Sequence, residues 1–424
     1  MRRAMKFGVV AWAMVSAIVI GFNTRVGTVG SVTDAPTGFD GRSNGFAEEF
    51  CANQQALTDS QNSPEIPAAL CNFDAAVSQF AEIDDIADGI GPTFNSTSCG
   101  DCHAVPVLGG SAQVTEKRAG FFDGLTFFDH PGGSLIQDRA TNPSIQEQTI
   151  ASQTNVVALR SSLNILGDGY VEAVGNPTLE AIAANQPASM RGQFIYVNVF
   201  EKPGEFRGGR FGHKDQQASL LSFAADAYLN EMGVTSPLQP DENTSNGNSV
   251  AAYDNVPDPD NDGVDVELFA LFMRSTKAPP RDPVRAATPD AIQGSVIFDS
   301  IGCGVCHTRE MVTLEPGTVI NQGALKVTNA LGNKRIRPFG DFLLHNVGTG
   351  DGIVQNGGAG TRNKIRTAPL WGLRTRGRFM HDALTFNLTD AILRHAGEAS
   401  QVRDNFKLLS GTDRKKVIAF LMSL

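Results

Sequence analysis

The sequence predicts a mainly α protein with long loops and a few short strands, built as two domains. Three observations lead there. The pattern Cys-x-x-Cys-His occurs twice, at Cys99–His103 and Cys303–His307, far apart in the chain. Helical periodicity precedes each copy: Val77, Phe80, Ile83 and Ile86 recur along Ala75–Ile86, and Gly294, Ile297 and Phe298 lead into Cys303. Between the copies, Gln239–Gly263 is polar and carries Pro257 and Pro259, the composition of a linker.

With 424 residues, 41% hydrophobic and 19% charged, the chain can bury two or three cores and has the balance of a globular protein. Its net charge of −10 argues against nucleic acid as a partner, and leaves room for a basic redox protein meeting an acidic patch. Arg2, Arg3 and Lys6 precede an apolar run from Phe7 to Phe22. Residues 1–22 therefore read as a secretory signal peptide, in preference to an uncleaved membrane anchor, because no stop-transfer flank follows. Residues 23–45 read as a flexible lead-in, 46–238 as the first domain, 239–263 as an acidic linker and 264–424 as the second domain. Export makes a disulfide the simple expectation for Cys51 and Cys71.

The segment from His103 to Asn176 reads mostly as loop, with short strands such as Asn155–Leu159, and Ile195–Phe200 alternates like a strand. Ser219–Met232 reads as a helix with Leu220, Phe223, Ala224, Ala227 and Tyr228 on one face. In the linker, Asp258, Asp260, Asp262 and Asp265 alternate around Gly263 as in a calcium loop. The EF-hand length and closing Glu are missing, so a calcium site and a solvated acidic loop are both readings of it. Val266–Ser275 is a short helix stopped before Pro279 and Pro280. Thr288 caps a further helix, with Pro289 at its first position. The chain closes on a helix, Asp413–Leu424, whose Val417, Ile418, Phe420 and Leu421 form an apolar face.

The repeated pentapeptide has a chemical meaning. Two thiols three positions apart stand about one helical turn apart, so both can form thioether bonds to the vinyl groups on one porphyrin edge. The histidine that follows falls under the ring and can bind the iron. A lone Cys-x-x-Cys fits a zinc site or a redox pair; two copies, each followed by His, point to two covalently bound haem c groups at Cys99, Cys102, His103 and Cys303, Cys306, His307. A helix running into Cys303 and a terminal helix crossing it at Gly294 is similar to the cytochrome c fold.

Several stretches resemble the bacterial di-haem oxidoreductase family, the thiol oxidoreductases related to di-haem cytochrome c peroxidases. They are Gly91-Pro92-Thr93-Phe94-Asn95 through His103, Gly209-Arg210-Phe211-Gly212 through Met232-Gly233, Asp341–Asn346, Arg366–Gly372, Met380-His381-Asp382 and His395–Ala399. The resemblance implies two cytochrome-c-like domains, each with one haem. His395 follows His381 at the spacing where relatives place the sixth ligand of the C-terminal haem, with Met or Tyr there. It implies a bis-histidine second haem, His307 and His395, of lower potential than one with an axial Met. His381 would contact a haem propionate or line the space between the haems, with His345 as a rival iron ligand. Arg366, Arg374, Arg376 and Arg378 surround Trp371 and would neutralise propionates or form a solvated basic face; Trp371 either assists electron transfer between haems or is plain core.

Reactivity then falls to the first haem. Glu231 matches the acid that moves protons over the open side of the reactive haem in the peroxidase relatives. Phe223 stands where those relatives have Gln, as a Phe does in the distantly related rubber oxygenases. The resemblance thus implies a periplasmic oxidoreductase of peroxidase type. A small cytochrome c or cupredoxin delivers electrons to the second haem, and peroxide or a small molecule reacts at the first. Two alternatives stand beside it: a non-catalytic electron-transfer cytochrome, with His213 or His130 closing the first haem, and a dioxygen-dependent oxygenase.

Overall fold

The structure, a computed structural model, describes residues 31–52 and 67–424. The signal peptide expected at 1–22 lies outside the described residues, as does the lead-in up to residue 30. Residues 32–424 form one compact unit. Its organising element is the helix Val264–Ser275, which is buried from Leu268 to Ser275. Helices Phe73–Ala81, Leu220–Ala227 and Asp168–Glu172 pack around it. Phe272 stacks on Phe73 and Phe80, and Phe269 meets Tyr228 edge-on. Arg274 forms two hydrogen bonds of 2.7 and 2.9 Å with the Glu172 carboxylate, both residues being buried. Removing one partner of such a pair costs about 3–5 kcal/mol.

The large core draws on residues from Ala35 to Trp371 and so takes in both sides of 239–263. That stretch is folded rather than a spacer. Thr235 Oγ1 donates to Asp258 and Asp260, and Asn243 donates to the Leu229 carbonyl. The described part of the lead-in is likewise ordered. Thr33–Asp34 forms a strand parallel to Lys334–Ile336, and Asn44 donates to the Arg274 and Thr276 carbonyls. Cys51 and Cys71 are disulfide-bonded, as expected. No helix among the described residues is long and apolar enough to cross a membrane.

Strand is more abundant than a mainly α chain would have: among the described residues, fifteen short strands make six small sheets. In the largest, Thr115–Phe122 pairs with three neighbours, among them Val156–Ser161. Thr115–Phe122 reads Thr-Glu-Lys-Arg-Ala-Gly-Phe-Phe and carries no two-residue apolar alternation, so its sequence has no strand signature. The helix expected over Ala75–Ile86 stops at Ala81, because Asp85 caps a short turn of its own and leaves Ile83 75% exposed.

A second, smaller core lies between helices Pro289–Ser300 and Gly411–Leu421. Thr288 caps the first as expected, its Oγ1 accepting from the Ala291 N–H. The two helices cross at Gly294, where a methyl group would run into the Lys416 carbonyl. Gly294→Ala is therefore expected to destabilise the protein by about 1–3 kcal/mol. An unchanged midpoint in urea unfolding would mean that the crossing yields at no cost.

Candidate functional site: the two Cys-x-x-Cys-His crevices

The helix Pro289–Ser300 delivers Cys303 into a short 3₁₀ turn, Cys303–Val305. Cys303, Cys306 and His307 line a cavity of about 210 Å³ whose other walls include Phe298, Leu370, Ile392 and Val417. His307 Nδ1 donates to the Phe339 carbonyl at 3.0 Å. A carbonyl only accepts, so the proton sits on Nδ1 and Nε2 keeps a free lone pair. Phe339 holds that carbonyl from the left-handed region, φ 52, a costly conformation for a bulky residue. His395 lines the same cavity, and its Nδ1 donates to the Ala391 carbonyl at 2.9 Å. It too is left with a free Nε2. Burial, and then the neighbouring His395, lower His307 to about 4; burial lowers His395 as well. Both rings are neutral at pH 7, the form that binds iron.

Around this cavity the other candidates sort themselves. His345 is buried and holds carboxylates with both nitrogens, Asp341 at 2.9 Å and Glu398 at 2.8 Å. Burial opposes its charge, but hydrogen bonds to Asp341, Cys306 and Glu398 raise it to about 12. With both nitrogens held by carboxylates, His345 offers the cavity no free lone pair. His381 lines the cavity, bonds the Thr349 carbonyl through Nε2, and keeps a buried Nδ1 with no partner. Arg366 and Arg376 also line it. Arg376 further lines a small neighbouring pocket with Asn164 and Trp371, where Asn164 Nδ2 and Trp371 Nε1 are buried without partners. These orphaned polar atoms and the two free imidazole nitrogens fit a haem with its propionates. Arg374 and Arg378 turn elsewhere, to the Pro280 and Leu424 carbonyls and to Gln113.

In the first crevice Ser98 caps a single helical turn, Cys99–Cys102, accepting from the Gly100 N–H. Gly109, at φ 89, turns the chain so that the Gly110 carbonyl accepts from His103 Nδ1 at 3.1 Å. Burial lowers His103, whose ring is also hydrogen-bonded to the backbone of Leu163, a residue that lines the second cavity. Burial raises Cys102 and Cys303 each to about 12, and all four motif cysteines are unpaired thiols.

Glu231 sits beside this crevice. The helix Leu220–Ala227 continues as a π-helical turn, Tyr228–Met232, a widening often found at functional sites. Met232 Sδ lies 4.0 Å from Cys99 Sγ, and Glu231 accepts from Asn95 Nδ2 at 2.7 Å. Burial, and then the neighbouring Glu116 carboxylate, raise Glu231 to about 8. Phe223 packs against the large core and stacks on Phe211 at 5.9 Å. His213 belongs to the second cavity rather than the first: it lines it, bonds the Ser161 carbonyl through Nε2 and meets His381 at 6.4 Å. His130 uses Nε2 to accept from the Ile150 N–H and Nδ1 to bond the Pro131 carbonyl. Both nitrogens of His130 are thus taken, and His213 lines the second cavity. Sequence reasoning did not single out Glu116, on a strand more than a hundred residues before Glu231, since no spacing marks such a pair.

In the acidic stretch, the structure gathers carboxylates the local pattern does not join. Glu242, Asp254 and Asp260 each bring one oxygen within 4.8 Å of the others.

Comparison with known proteins places the chain. A family model described as "Di-haem oxidoreductase, putative peroxidase" matches residues 137–424, which includes Cys303–His307, Glu231 and His395 and begins after Cys99–His103. Among solved structures, the hydrazine synthase of Kuenenia stuttgartiensis is similar at 15% identity and a TM-score of 0.41, over 85% of this chain and 89% of that one. A MauG-like protein associated with microbial copper homeostasis is similar at 13% identity and a TM-score of 0.38, over 86% and 91%. No curated protein matches. With more than half its length matched, the chain belongs to the di-haem oxidoreductase family.

Proposed function

We propose that the protein is an exported di-haem c-type oxidoreductase of peroxidase type, with a cytochrome-c-like domain around each haem. Electrons from a small periplasmic redox protein enter at the second site and are used at the first. The observation that carries this reading is the inequality of the two crevices. The second offers two imidazoles, His307 and His395, each with Nδ1 tied to a carbonyl and Nε2 free. The first offers one, His103, beside a carboxyl group held near neutral pH.

Haem c supplies electron transfer where both axial positions are filled and peroxide cleavage where one is open. His307 and His395 would hold the haem of the second site, where it would relay electrons, and His103 would hold the other. Glu231, steadied by Asn95, moves a proton at its carboxyl oxygen. His381 and Arg376 receive propionates. The Cys51–Cys71 bridge supports an oxidising, exported setting. EPR of the oxidised protein, then of the half-reduced protein with and without hydrogen peroxide, tests the reading. A high-spin signal that responds to peroxide is expected. Low-spin signals alone, with no response, would leave an electron-transfer cytochrome. A lasting spectral change on exposing the reduced protein to air would mark the oxygenase, with Phe223 over the open site.

The reading extends to a calcium ion at Glu242, Asp254 and Asp260. Burial, and then Asp258, Asp260 and Asp254, raise Glu242 to about 9, so it stays protonated at pH 7 unless a cation replaces the proton. EGTA is expected to lower the Tm, and added calcium to release a proton. An unchanged Tm removes calcium from the proposal.

A further inference from the structure

Two carboxyl groups meet beside the first crevice, and they are not equal. Glu116, on the strand Thr115–Phe122, receives both ends of the Arg118 guanidinium, at 2.8 and 3.0 Å. Arg160, from the adjacent strand Val156–Ser161, lies 3.7 Å from the same carboxylate. Arg160 is fully buried and is itself anchored by Asp351, at 2.6 Å, and by Gln355. Asp351 is held in turn by buried Lys214 at 2.9 Å. Glu116 thus ends a row of fixed charges and has two cations of its own. Glu231, on the π-helical turn, has no cation within salt-bridge distance among the described residues. It has the Asn95 amide on one oxygen and the Glu116 carboxyl as a neighbour. Asp226 is the remaining acid on this side, and it is hydrogen-bonded to Asn230. Cys102 faces the site as a neutral thiol, or as a thioether once haem is attached.

Two neighbouring carboxyl groups in a buried site resist ionising together, so near neutral pH one of them keeps its proton. The cations decide which. We propose that Glu116 is a positioning residue for Glu231: pinned as a carboxylate by Arg118 and Arg160, it keeps the proton on Glu231, so that Glu231 enters the reaction as an acid. This rests on the peroxidase reading for its use, though the carboxyl pair itself does not. Reducing hydrogen peroxide to two waters takes two electrons, from the small redox protein, and two protons. Glu231 breaks its O–H bond to protonate the oxygen that leaves, and regains the proton from solvent while Glu116 stays ionised. The directions agree: Glu116 lies below the usual carboxylate range, where Arg118 and Arg160 overcome burial, and Glu231 at about 8.

The test is a pH titration of the carboxylic-acid C=O band by difference infrared spectroscopy on the haem-loaded protein. We expect a band present at pH 7, lost as the pH rises through about 8, and absent in Glu231→Gln. In Glu116→Gln the neighbouring charge is gone and Arg118 remains. The band should then titrate at least one unit lower, a tenfold loss of the acid form at fixed pH. Glu116→Asp, which keeps the charge, should fall between the two. No band at pH 7 in the wild type, or an unmoved titration in Glu116→Gln, overturns the proposal. If neither Glu116 variant folds, the wild-type band and its loss in Glu231→Gln decide. Should the band behave as expected while Glu231→Gln keeps full peroxide turnover, the pair stands and the peroxidase reading falls.

Discussion

Replacing His395 by glycine turns the second haem from low-spin to high-spin and leaves the first haem's spectrum unchanged. The prediction follows from the cavity walls. His395 is the one histidine there, besides His307, whose Nδ1 is fixed by a main-chain carbonyl while its Nε2 stays free. His345 cannot replace it, since Asp341 and Glu398 occupy both of its nitrogens. His381 and His213 spend Nε2 on the Thr349 and Ser161 carbonyls. With His395 gone, one axial position is left to water or to added imidazole, and imidazole should restore the low-spin spectrum. His345→Gln serves as the control and should stay low-spin, although the buried Asp341 it leaves behind makes the variant less stable. A His395→Gly protein with the wild-type spectrum would mean that another residue is the ligand.

Replacing Glu231 by glutamine lowers peroxide turnover by about 10²–10⁴-fold, the usual worth of a positioned acid or base. Haem content and the second haem's spectrum are unaffected, because Gln keeps the shape and can still bond Asn95. The pH dependence carries a sign. Burial and Glu116 raise Glu231 to about 8. Its acid form is therefore complete well below that value and lost as the pH rises through it, so kcat in the wild type should fall on the alkaline side. That fall should vanish in Glu231→Gln. A variant with full turnover, or one that keeps the alkaline fall, would take Glu231 out of the chemistry.

Residues that act through a covalent or coordination pattern were legible in the sequence. The two pentapeptides declare themselves, and the spacing of His395 from His381 leads to a ring that shares a cavity with His307. Capped helices were legible too, because Thr288 and Ser219 act on neighbours three residues away. What escaped depends on contacts between distant segments. The strand Thr115–Phe122 is defined by its partners and not by its own alternation. The ends of 239–263 looked like a spacer because polar loops and polar packed turns share a composition. His213, placed beside the first iron by its neighbours in sequence, lies instead against His381 because the strand Val156–Ser161 hands its Ser161 carbonyl to that ring.

The core that draws on residues from Ala35 to Trp371 also sets an order of events. Phe80 lies beside the His103 ring and stacks on Phe272, both belong to the large core that also takes in Trp371, and Thr33–Asp34 pairs with Lys334–Ile336. None of this can close until nearly the whole chain has been made. At about 5–20 residues per second, the interval from Cys102 to Trp371 is on the order of tens of seconds. Throughout it Cys99, Cys102 and His103 stand on an open chain. The second motif is different. It is made late, and the helix Gly411–Leu421 that covers it follows about a hundred residues behind, within several seconds on the same scale. The first motif is therefore left on an unclosed chain for longer than the second.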